Sequence, residues 1–364
     1  METPCRILLA PPPVLSSPLL PLGSLIGSLT SNGLEVVMFR QDYRPEWGHY
    51  ETLKLIPDPN PFHVSSKKQA IGTSLLIPFR SWLKQRRLSR LIAHHAIHVM
   101  MAVSRTDMYA PRAVNILVTL GLIDSEGSQL EENTICLQNR HISRYRQWWI
   151  SDPLMAGSPA PKAVGNRKNV PVIDIGVIRD IREWKADPGV LDYSVCLWLT
   201  GSHKADESLE NTLLKQVAGL PGHVAYIRES ASNEGMLHSA GKVHIFENLR
   251  PEAIQHILER SGLIVCRPDP VQLLFLAGSG LPVVVVPRPG DAIQQRLARR
   301  LEGASYALLA DQQALDLGDA LSVAASLLGI PGKYGAGRLE SAIGELAELI
   351  KNDHLCGLSE QQDP

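Results

Sequence analysis

The second half of the chain alternates short apolar runs with amphipathic segments, and this alternation restricts the fold more than any other feature. The runs predict strands and the segments between them predict helices, giving about six strand–helix units in about 180 residues. The run LPVVVVP (281–287) has no polar alternation, which is typical of a strand buried on both faces of a parallel sheet. The second half therefore predicts a doubly wound α/β domain.

The first half shows the same order less clearly. CRILLA (5–10), a helix ending at Gly33 and LEVVMF (34–39) predict a strand, a helix and a parallel strand. A segment rich in Pro, Gly and Ser at 154–170 predicts a linker. Because 364 residues exceed what one core usually holds, we expect an α/β fold of two Rossmann-like domains facing a cleft. Their predicted bounds are 1–160 and 161–364, with the last helix packing back on the first domain.

Cysteine spacing and hydropathy exclude several classes of protein. The five cysteines are scattered without a C-x-x-C pair, so a zinc site, an iron–sulfur cluster or a disulfide framework is not expected. The first residues lack the features of a secretory signal, and no apolar run reaches the ~18–20 residues of a membrane span. We expect a cytoplasmic protein, or one peripheral to the inner membrane face, that uses no cofactor and no metal.

Charge is distributed unevenly along the chain. Residues 1–170 hold 19 Lys and Arg against 12 Asp and Glu, and the remainder reverses this balance. Two such halves would attract each other across a cleft, or the basic half would meet an anionic partner. Residues 67–105 contain eight cationic residues and no acidic one. This basic segment suits an anionic membrane surface, or a helix whose charges face water. The near-neutral overall charge argues against nucleic acid as a partner.

Local patterns in the first half predict three further elements. Residues 79–104 predict a helix that would place His94 and His98 on one face, where two imidazoles could share a metal or pair without one. The segment RAVNILVTLGLID (112–124) is consistent with a helix. The segment QWWIS (147–151) predicts a strand that ends just before Asp152.

The strand ends of the second half are where a ligand is expected. In doubly wound sheets, ligands bind beyond the carboxyl ends of the strands. The predicted strands place four loops there: 200–203, 246–249, 267–270 and 287–291. The first contains Thr200, Gly201 and Ser202, whose backbone amides and hydroxyls suit a phosphate. The same residues also suit an ordinary helix cap.

A longer motif covers two of these loops, CRPDPVQLLFLAGSGLPVVVVPRPGDAIQQRLA (266–298). It resembles the donor-binding half of the two-domain GT-B glycosyltransferases, of the type that includes the lipid-intermediate N-acetylglucosaminyltransferase of cell-wall synthesis. The resemblance covers residues 170–325 and depends on Arg267, the G-x-P of Gly280 and Pro282, the P-x-P-G that ends at Gly290, and the paired Gln294 and Gln295.

The resemblance implies a nucleotide-diphosphate sugar as ligand, with a UDP-sugar as the first expectation. It implies that Arg267 lies near the phosphates and that Gln294 or Gln295 meets sugar hydroxyls. A glutamine offers both a donor and an acceptor, which suits a diol. The alternative is that both glutamines belong to a solvated helix start.

The motif departs from the family at three positions. Where the family has small residues that let the backbone approach the diphosphate, this chain has Pro268 and Asp269. Where the family has an acidic residue for ribose or sugar hydroxyls, this chain has Phe275. The Gly-rich loop expected after the first strand is replaced by a Pro-rich one at 11–23. The donor site implied by the resemblance is therefore altered or inactive.

An inverting transfer also needs a general base for the acceptor hydroxyl. The candidates are Asp152, at a predicted strand end, and His141, with Asp152 equally suited to an Asp–Pro turn. Three nearby arginines could hold an anionic group: Arg140, Arg144 and Arg146. The sequence therefore predicts a glycosyltransferase that uses a nucleotide-diphosphate sugar. The alternative is a catalytically inactive binding or partner protein of the same fold.

Overall fold

The fold is seen in a computed structural model, which describes residues 5–10, 22–39, 53–56, 77–103, 109–120, 144–152, 170–178, 191–199, 204–228, 237–332 and 336–357. Within these residues the chain forms two seven-stranded sheets. Each sheet packs against helices that follow its strands, so the predicted α/β architecture of two Rossmann-like domains is confirmed. No described helix is long and apolar enough to cross a membrane.

The first sheet is entirely parallel. Its strands are β1 (Arg6–Ala10), β2 (Glu35–Phe39), β3 (Leu53–Ile56), β4 (Val99–Val103), β5 (Val114–Leu120), β6 (Gln147–Ser151) and β7 (Val172–Asp174). They lie in the order β3-β2-β1-β4-β5-β6-β7. The described helices of this half are α1 (Leu22–Ser31) and α2 (Ile77–His94). The strand order reverses between β1 and β4, as in a doubly wound sheet.

The second sheet has one antiparallel edge strand. Its strands are β8 (Tyr193–Leu199), β9 (His223–Arg228), β10 (Leu237–Ala240), β11 (Val243–Glu247), β12 (Ile264–Cys266), β13 (Val283–Val285) and β14 (Leu308–Leu309). They lie in the order β10-β11-β9-β8-β12-β13-β14, and β10 runs antiparallel to β11. The described helices are α3 (Lys204–Gln216), α4 (Pro251–Glu259), α5 (Pro270–Leu276), α6 (Ala292–Gly303), α7 (Leu317–Val323) and α8 (Ala336–Gly357).

Two local predictions for the first half are wrong. Helix α2 ends at His94, because Ala96 adopts a positive φ of 50° and the chain turns into β4. His94 and His98 therefore do not share a helical face, and the Nδ1 atom of His98 accepts a hydrogen bond from the backbone N–H of Arg6. The segment expected as a helix at 112–124 contains strand β5. A short apolar run with both faces buried has the same composition in a strand and in a buried helix.

One apolar cluster joins the two halves of the chain. It contains buried residues of α1 and β6 together with residues of β12, α5 and α8. Helix α8 contacts α1, and α5 contacts β5. Strand β7 pairs with β6, so residues 172–174 belong to the first sheet, later in the chain than the predicted boundary at 160. The two sheets are therefore packed together through a shared core.

The segment before α8 lies directly on the segment after α5. The backbone N–H of Gly278 donates a hydrogen bond to the carbonyl of Ile330 at 2.7 Å. A Cβ atom on Gly332 would lie 2.6 Å from the backbone nitrogen of Gly278, a distance that no side chain tolerates. The contact is therefore backbone against backbone.

Candidate functional site

The carboxyl ends of four parallel strands form one edge of the second sheet, which we call the rim. Strands β8, β11, β12 and β13 end at Leu199, Glu247, Cys266 and Val285. Neighbouring strands β8, β12 and β13 are parallel, so the loops that follow them lie side by side. Thr200, Gly201 and Ser202 lie outside the described residues, and their role as a phosphate cradle stays a prediction.

The loop after β13 contains a tight turn set by its sequence. The backbone N–H of Asp291 donates to the carbonyl of Arg288 at 3.1 Å, closing a four-residue turn. Pro289 occupies the second position, and Gly290 occupies the third with a φ of 79°. Proline followed by glycine in this conformation is the signature of a type II turn. Gly290 is exposed, so the turn presents its backbone to solvent.

The paired glutamines at the start of α6 have different environments. Gln294 is buried, and its side-chain oxygen accepts a hydrogen bond from the backbone N–H of Arg288 at 2.9 Å. Its own backbone N–H donates to the carboxylate of Asp291, which caps the helix. The side chain of Gln295 is half-buried and makes no hydrogen bond to the described residues. Gln294 therefore braces the turn, and Gln295 is the glutamine with a side-chain amide available to a ligand.

Arg267, at the end of β12, is enclosed by the protein. Only 1% of the residue is exposed. Its guanidinium donates to the carbonyl of Val286 at 2.8 Å and to the side-chain oxygen of Gln312 at 3.0 Å. These bonds tie the ends of β12 and β13 to the segment after β14. A role of Arg267 at a phosphate stays a prediction, and in this conformation the guanidinium acts within the protein.

The two residues that depart most clearly from the family pattern have structural roles. The carboxylate of Asp269 caps α5 by accepting hydrogen bonds from the backbone N–H groups of Val271 and Gln272. Burial, followed by the neighbouring Asp291, raises the pKa of Asp269, against the opposing effect of its capping bonds and Arg288. Phe275 is buried edge-on against Trp198, with ring centroids 5.5 Å apart.

Two buried polar atoms near the rim lack a partner among the described residues. They are the indole Nε1 of Trp198, on β8, and the side-chain Oε1 of Gln272, on α5. The amide nitrogen of Gln272 donates to the backbone carbonyl of Trp198 at 3.3 Å, so Gln272 lies against β8. A buried unsatisfied polar group costs about 1–3 kcal/mol. Such groups are uncommon in folded proteins and accumulate at functional sites.

Asp152 lies just beyond β6, as the sequence predicted, but it faces another side chain. Its side chain is 0% exposed, and its carboxylate pairs with Arg300 of α6 at 3.3 Å. An acceptor hydroxyl could reach this carboxylate only if Arg300 moved aside. His141 and Arg140 lie outside the described residues. The role of either acid–base candidate as general base stays a prediction.

Arg144 and Arg146 lie at the opposite edge of the first sheet from Asp152. Both precede β6, so they are at its amino end. The guanidinium of Arg144 stacks over the ring of Tyr109 at 4.1 Å. Ligands of doubly wound sheets bind at the other edge, so the structure does not bring these arginines together with the rim.

The described cysteines and histidines do not add a reactive centre. Burial raises the pKa of the Cys266 thiol to about 12 and that of Cys5 to about 11, which keeps both protonated. No group of three or more potential metal ligands occurs among the described residues. Among the described residues of the rim, the amide of Gln295 and the exposed turn at Gly290 are open to hydrogen bonding with a ligand.

Comparison with solved structures identifies the architecture. The glycotransferase of kitacinnamycin aligns over 100% of both chains, with a TM-score of 0.60 and 17% identity. The spinosyn rhamnosyltransferase SpnG in complex with thymidine diphosphate aligns over 95% of this chain and 96% of its own, with a TM-score of 0.54 and 17% identity. MurG from Acinetobacter baumannii aligns over 96% of this chain and 100% of its own, with a TM-score of 0.53 and 12% identity.

The chain has the GT-B fold. The fold expected from the resemblance in the sequence is therefore confirmed. No protein-family model matches the chain, and no curated protein is similar to it in sequence. At these identities the structural likeness establishes the fold, and the activity is a separate question.

Sequence reasoning missed several residues that shape the GT-B rim. Gln312 and Arg300 fall in segments without a motif, and their partners are more than 40 residues away in the chain. Gln272 and Trp198 are ordinary apolar-segment residues until the fold places them together. The one signal in the sequence was Gln272 itself, a polar residue inside the apolar run PVQLLFL (270–276).

Proposed function

We propose that this chain is a glycosyltransferase-like protein that binds a nucleotide-diphosphate sugar at the rim of the second sheet and transfers the sugar to an acceptor. The observation that carries the proposal is the braced turn after β13. Gln294 holds the turn from inside, and the half-exposed Gln295 is left with its amide available beside it. On this fold, such an amide at a strand end suits the hydroxyls of a sugar.

The structural neighbours support the choice of ligand class. SpnG was solved with thymidine diphosphate and the glycosyltransferase VinC with dTDP. We propose a nucleoside diphosphate as the shared part of the ligand of this chain, with uridine and thymidine as the nucleosides to test first. In this proposal Gly290 lets the backbone approach the donor, and Thr200, Gly201 and Ser202 cradle its phosphates.

The proposal assigns a role to Arg267 and to each candidate general base. Arg267 keeps the ends of β12 and β13 in register through Val286, and a phosphate contact requires it to release Gln312. Asp152 acts as general base only after Arg300 is displaced, and His141 is the alternative base. Phosphate charge is met by backbone amides and arginine, without a metal in this proposal.

A second function, binding without transfer, is favoured by Asp269. Its carboxylate already accepts the first-turn amides of α5, where the family has small residues near the diphosphate. A fixed negative charge there opposes a bound diphosphate. The buried Phe275 also offers no acceptor for ribose or sugar hydroxyls. These two residues support an inactive partner protein of the same fold.

Thermal unfolding with a panel of UDP-, TDP-, GDP- and CMP-sugars tests the proposal. A ligand that binds the native state raises the melting temperature according to its concentration and affinity. We expect a shift for one nucleotide class, reduced in Gln295→Ala and retained in Arg299→Ala, a variant of an exposed residue on the same helix. No shift with any member of the panel would sink the transferase proposal and leave the inactive partner protein. A shift without sugar release or transfer would favour the inactive partner.

We also propose that α2 rests on an anionic membrane surface. Leu88, Leu91 and Ile92 pack into the first sheet, and Arg86, Arg87 and Arg90 are exposed. Cationic side chains near an anionic surface contribute about 1 kcal/mol each. Sedimentation with vesicles containing anionic lipid should capture the protein, and Arg87→Glu/Arg90→Glu should release it. Equal sedimentation with neutral vesicles would contradict an electrostatic contact.

A further inference from the structure

Two aspartates lie next to each other where the chain leaves the first sheet. Asp152 follows β6, and Asp174 ends β7, the neighbouring parallel strand. The register pairs Ile150 with Asp174, which places both carboxylates at the same end of the two strands. This corner of the first sheet therefore has two acidic groups at adjacent strand ends.

Each aspartate pairs with an arginine from the C-terminal half of the chain. Asp152 pairs with Arg300 of α6, and Asp174 pairs with Arg338 of α8. Asp152 belongs to residues 1–170, which carry an excess of Lys and Arg, and Arg300 belongs to the remainder, which carries an excess of Asp and Glu. The Asp152–Arg300 pair therefore runs against the net charges of the two halves and is a specific contact.

The backbone around the aspartates fixes their positions. The second carboxylate oxygen of Asp174 accepts a hydrogen bond from the N–H of Gly176 at 2.8 Å, and Gly176 has a φ of 68°. The hydroxyl of Ser151 accepts the N–H of Ile178 at 3.3 Å. Both bonds hold the exit of the first sheet in one conformation. The arginines thus meet acids that are already ordered, which lowers the entropy lost in forming the pairs.

Helix α6 connects one of these pairs to the rim. The helix begins directly after Asp291, and its residue Gln294 holds the loop that follows β13. Arg300 lies in the last turn of the helix. A helix of 12 residues is rigid over this distance. A displacement of Arg300 relative to Asp152 would therefore move the start of α6, and the turn with it.

We propose that the Asp152–Arg300 and Asp174–Arg338 pairs form a two-point clamp that holds the second domain and α8 against the corner of the first sheet, and that the second domain moves away from this corner when the clamp is released. Arg300 is the stronger point, because the side chain of its partner is fully buried and removing the cation beside a buried carboxylate is costly. Arg338 is the weaker point, because both members of its pair remain partly exposed. The clamp is a property of the protein without ligand and does not depend on the proposed transfer.

Small-angle scattering on the full-length protein tests the clamp. A compact chain of this length has a radius of gyration of about 21 Å. We expect the radius and the maximum dimension to rise in Arg300→Gln/Arg338→Gln, with a smaller rise in Arg300→Gln alone. The matched control is Arg299→Gln/Arg338→Lys, which changes an exposed neighbour and keeps the charge at 338. It should scatter like the wild type.

A second variant guards against simple misfolding. Arg300→Gln removes the cation beside a buried carboxylate, so Asp152→Asn/Arg300→Gln removes both charges while keeping similar shapes. Circular dichroism checks that each variant keeps its secondary structure. The decisive variant is the triple one, Asp152→Asn/Arg300→Gln/Arg338→Gln. If this variant is folded and has the dimensions of the wild type, the proposed clamp is contradicted. Expansion of that variant, with compact dimensions in the control, supports it whatever the outcome of the nucleotide-sugar experiment.

Discussion

The loops after β12 and β13 follow neighbouring strands of one sheet, yet they are built in opposite ways. After β12, Arg267 is buried and bonded to Val286 and Gln312, and the carboxylate of Asp269 satisfies the first amides of α5. After β13, an exposed turn at Gly290 is held from inside by Gln294. The first loop uses its polar groups within the protein, whereas the second leaves the backbone of its turn accessible to solvent.

This difference shows how a motif can keep the fold and lose part of a binding site. Polar residues at a strand end bind a ligand only if the protein does not already use them. Arg267 and Asp269 match or replace positions that the family pattern links to the donor, but their hydrogen bonds are internal. We therefore expect the proposed donor to contact the loops after β8 and β13, with Arg267 joining only after it releases Gln312. The following predictions test this contrast, beginning with the largest expected effect.

Replacing Arg267 should destabilise the loop after β12, whose polar groups are hydrogen-bonded within the protein. Arg267→Ala leaves the carbonyl of Val286 without a donor and opens a cavity, so we expect a loss of about 3 kcal/mol in the free energy of unfolding. Urea denaturation measures it. The control Arg299→Ala removes an exposed arginine and should change stability by less than about 0.5 kcal/mol. Equal stability of the two variants would mean that Arg267 does not stabilise the loop after β12.

The paired glutamines should separate stability from binding. Gln294→Ala leaves the backbone N–H of Arg288 without its acceptor, and we expect a loss of about 1 kcal/mol. Gln295→Ala should change stability by less than about 0.5 kcal/mol, while it weakens the nucleotide-sugar complex proposed above. Urea denaturation and ligand-induced thermal shifts distinguish the two effects. A larger loss of stability in Gln295→Ala than in Gln294→Ala would contradict the structural role given to Gln294.

Asp269 should make the folded protein less stable as the pH rises. Burial, first, and Asp291 raise the pKa of Asp269 in the folded protein. Protons are therefore bound more tightly in the native state, so this group contributes stability at low pH that is lost as the pH rises through the folded value. Asparagine is neutral and caps helices about as well. Relative to the wild type, Asp269→Asn should become more stable as the pH rises from acid to neutral.

Melting temperatures of the two proteins from about pH 3 to pH 8 measure this effect, which is the smallest of the three. Asp316→Asn, the corresponding change at the cap of α7, controls for the exchange of a capping carboxylate for an amide. A constant difference between Asp269→Asn and the wild type at all pH values would show that the carboxylate of Asp269 is not destabilised by its surroundings.

The architecture could be predicted from sequence because local patterns agree with it. The buried run around Val283–Val286 and the Pro–Gly turn after it each indicate one structure, and both occur as expected. Strand β5 was mistaken for a helix because a short apolar run buried on both faces has no distinguishing period. Ala96 ended α2 before His98 through a positive φ that alanine rarely adopts.

The site could be predicted only in part, because contacts between distant segments decide which polar groups are available. The sequence places Gln294 and Gln295 at a helix start, but only the position of Arg288 shows which of them is engaged. Arg267 and Gln312 are 45 residues apart, and no local pattern links them. Likewise, Asp152 lies at the predicted strand end, and its pairing with Arg300 depends on how the two sheets pack.

The backbone contact between the segment before α8 and the segment after α5 has a mechanical consequence. Side chains usually act as a compliant layer between packed elements, because they can change rotamer when one element moves. At Gly332 and Gly278 no such layer exists. Helix α8 contacts α1 of the first domain, so a displacement of the first domain that moves α8 would be passed almost undiminished to the end of α5. This contact is a stiff connection between α8 and the second domain.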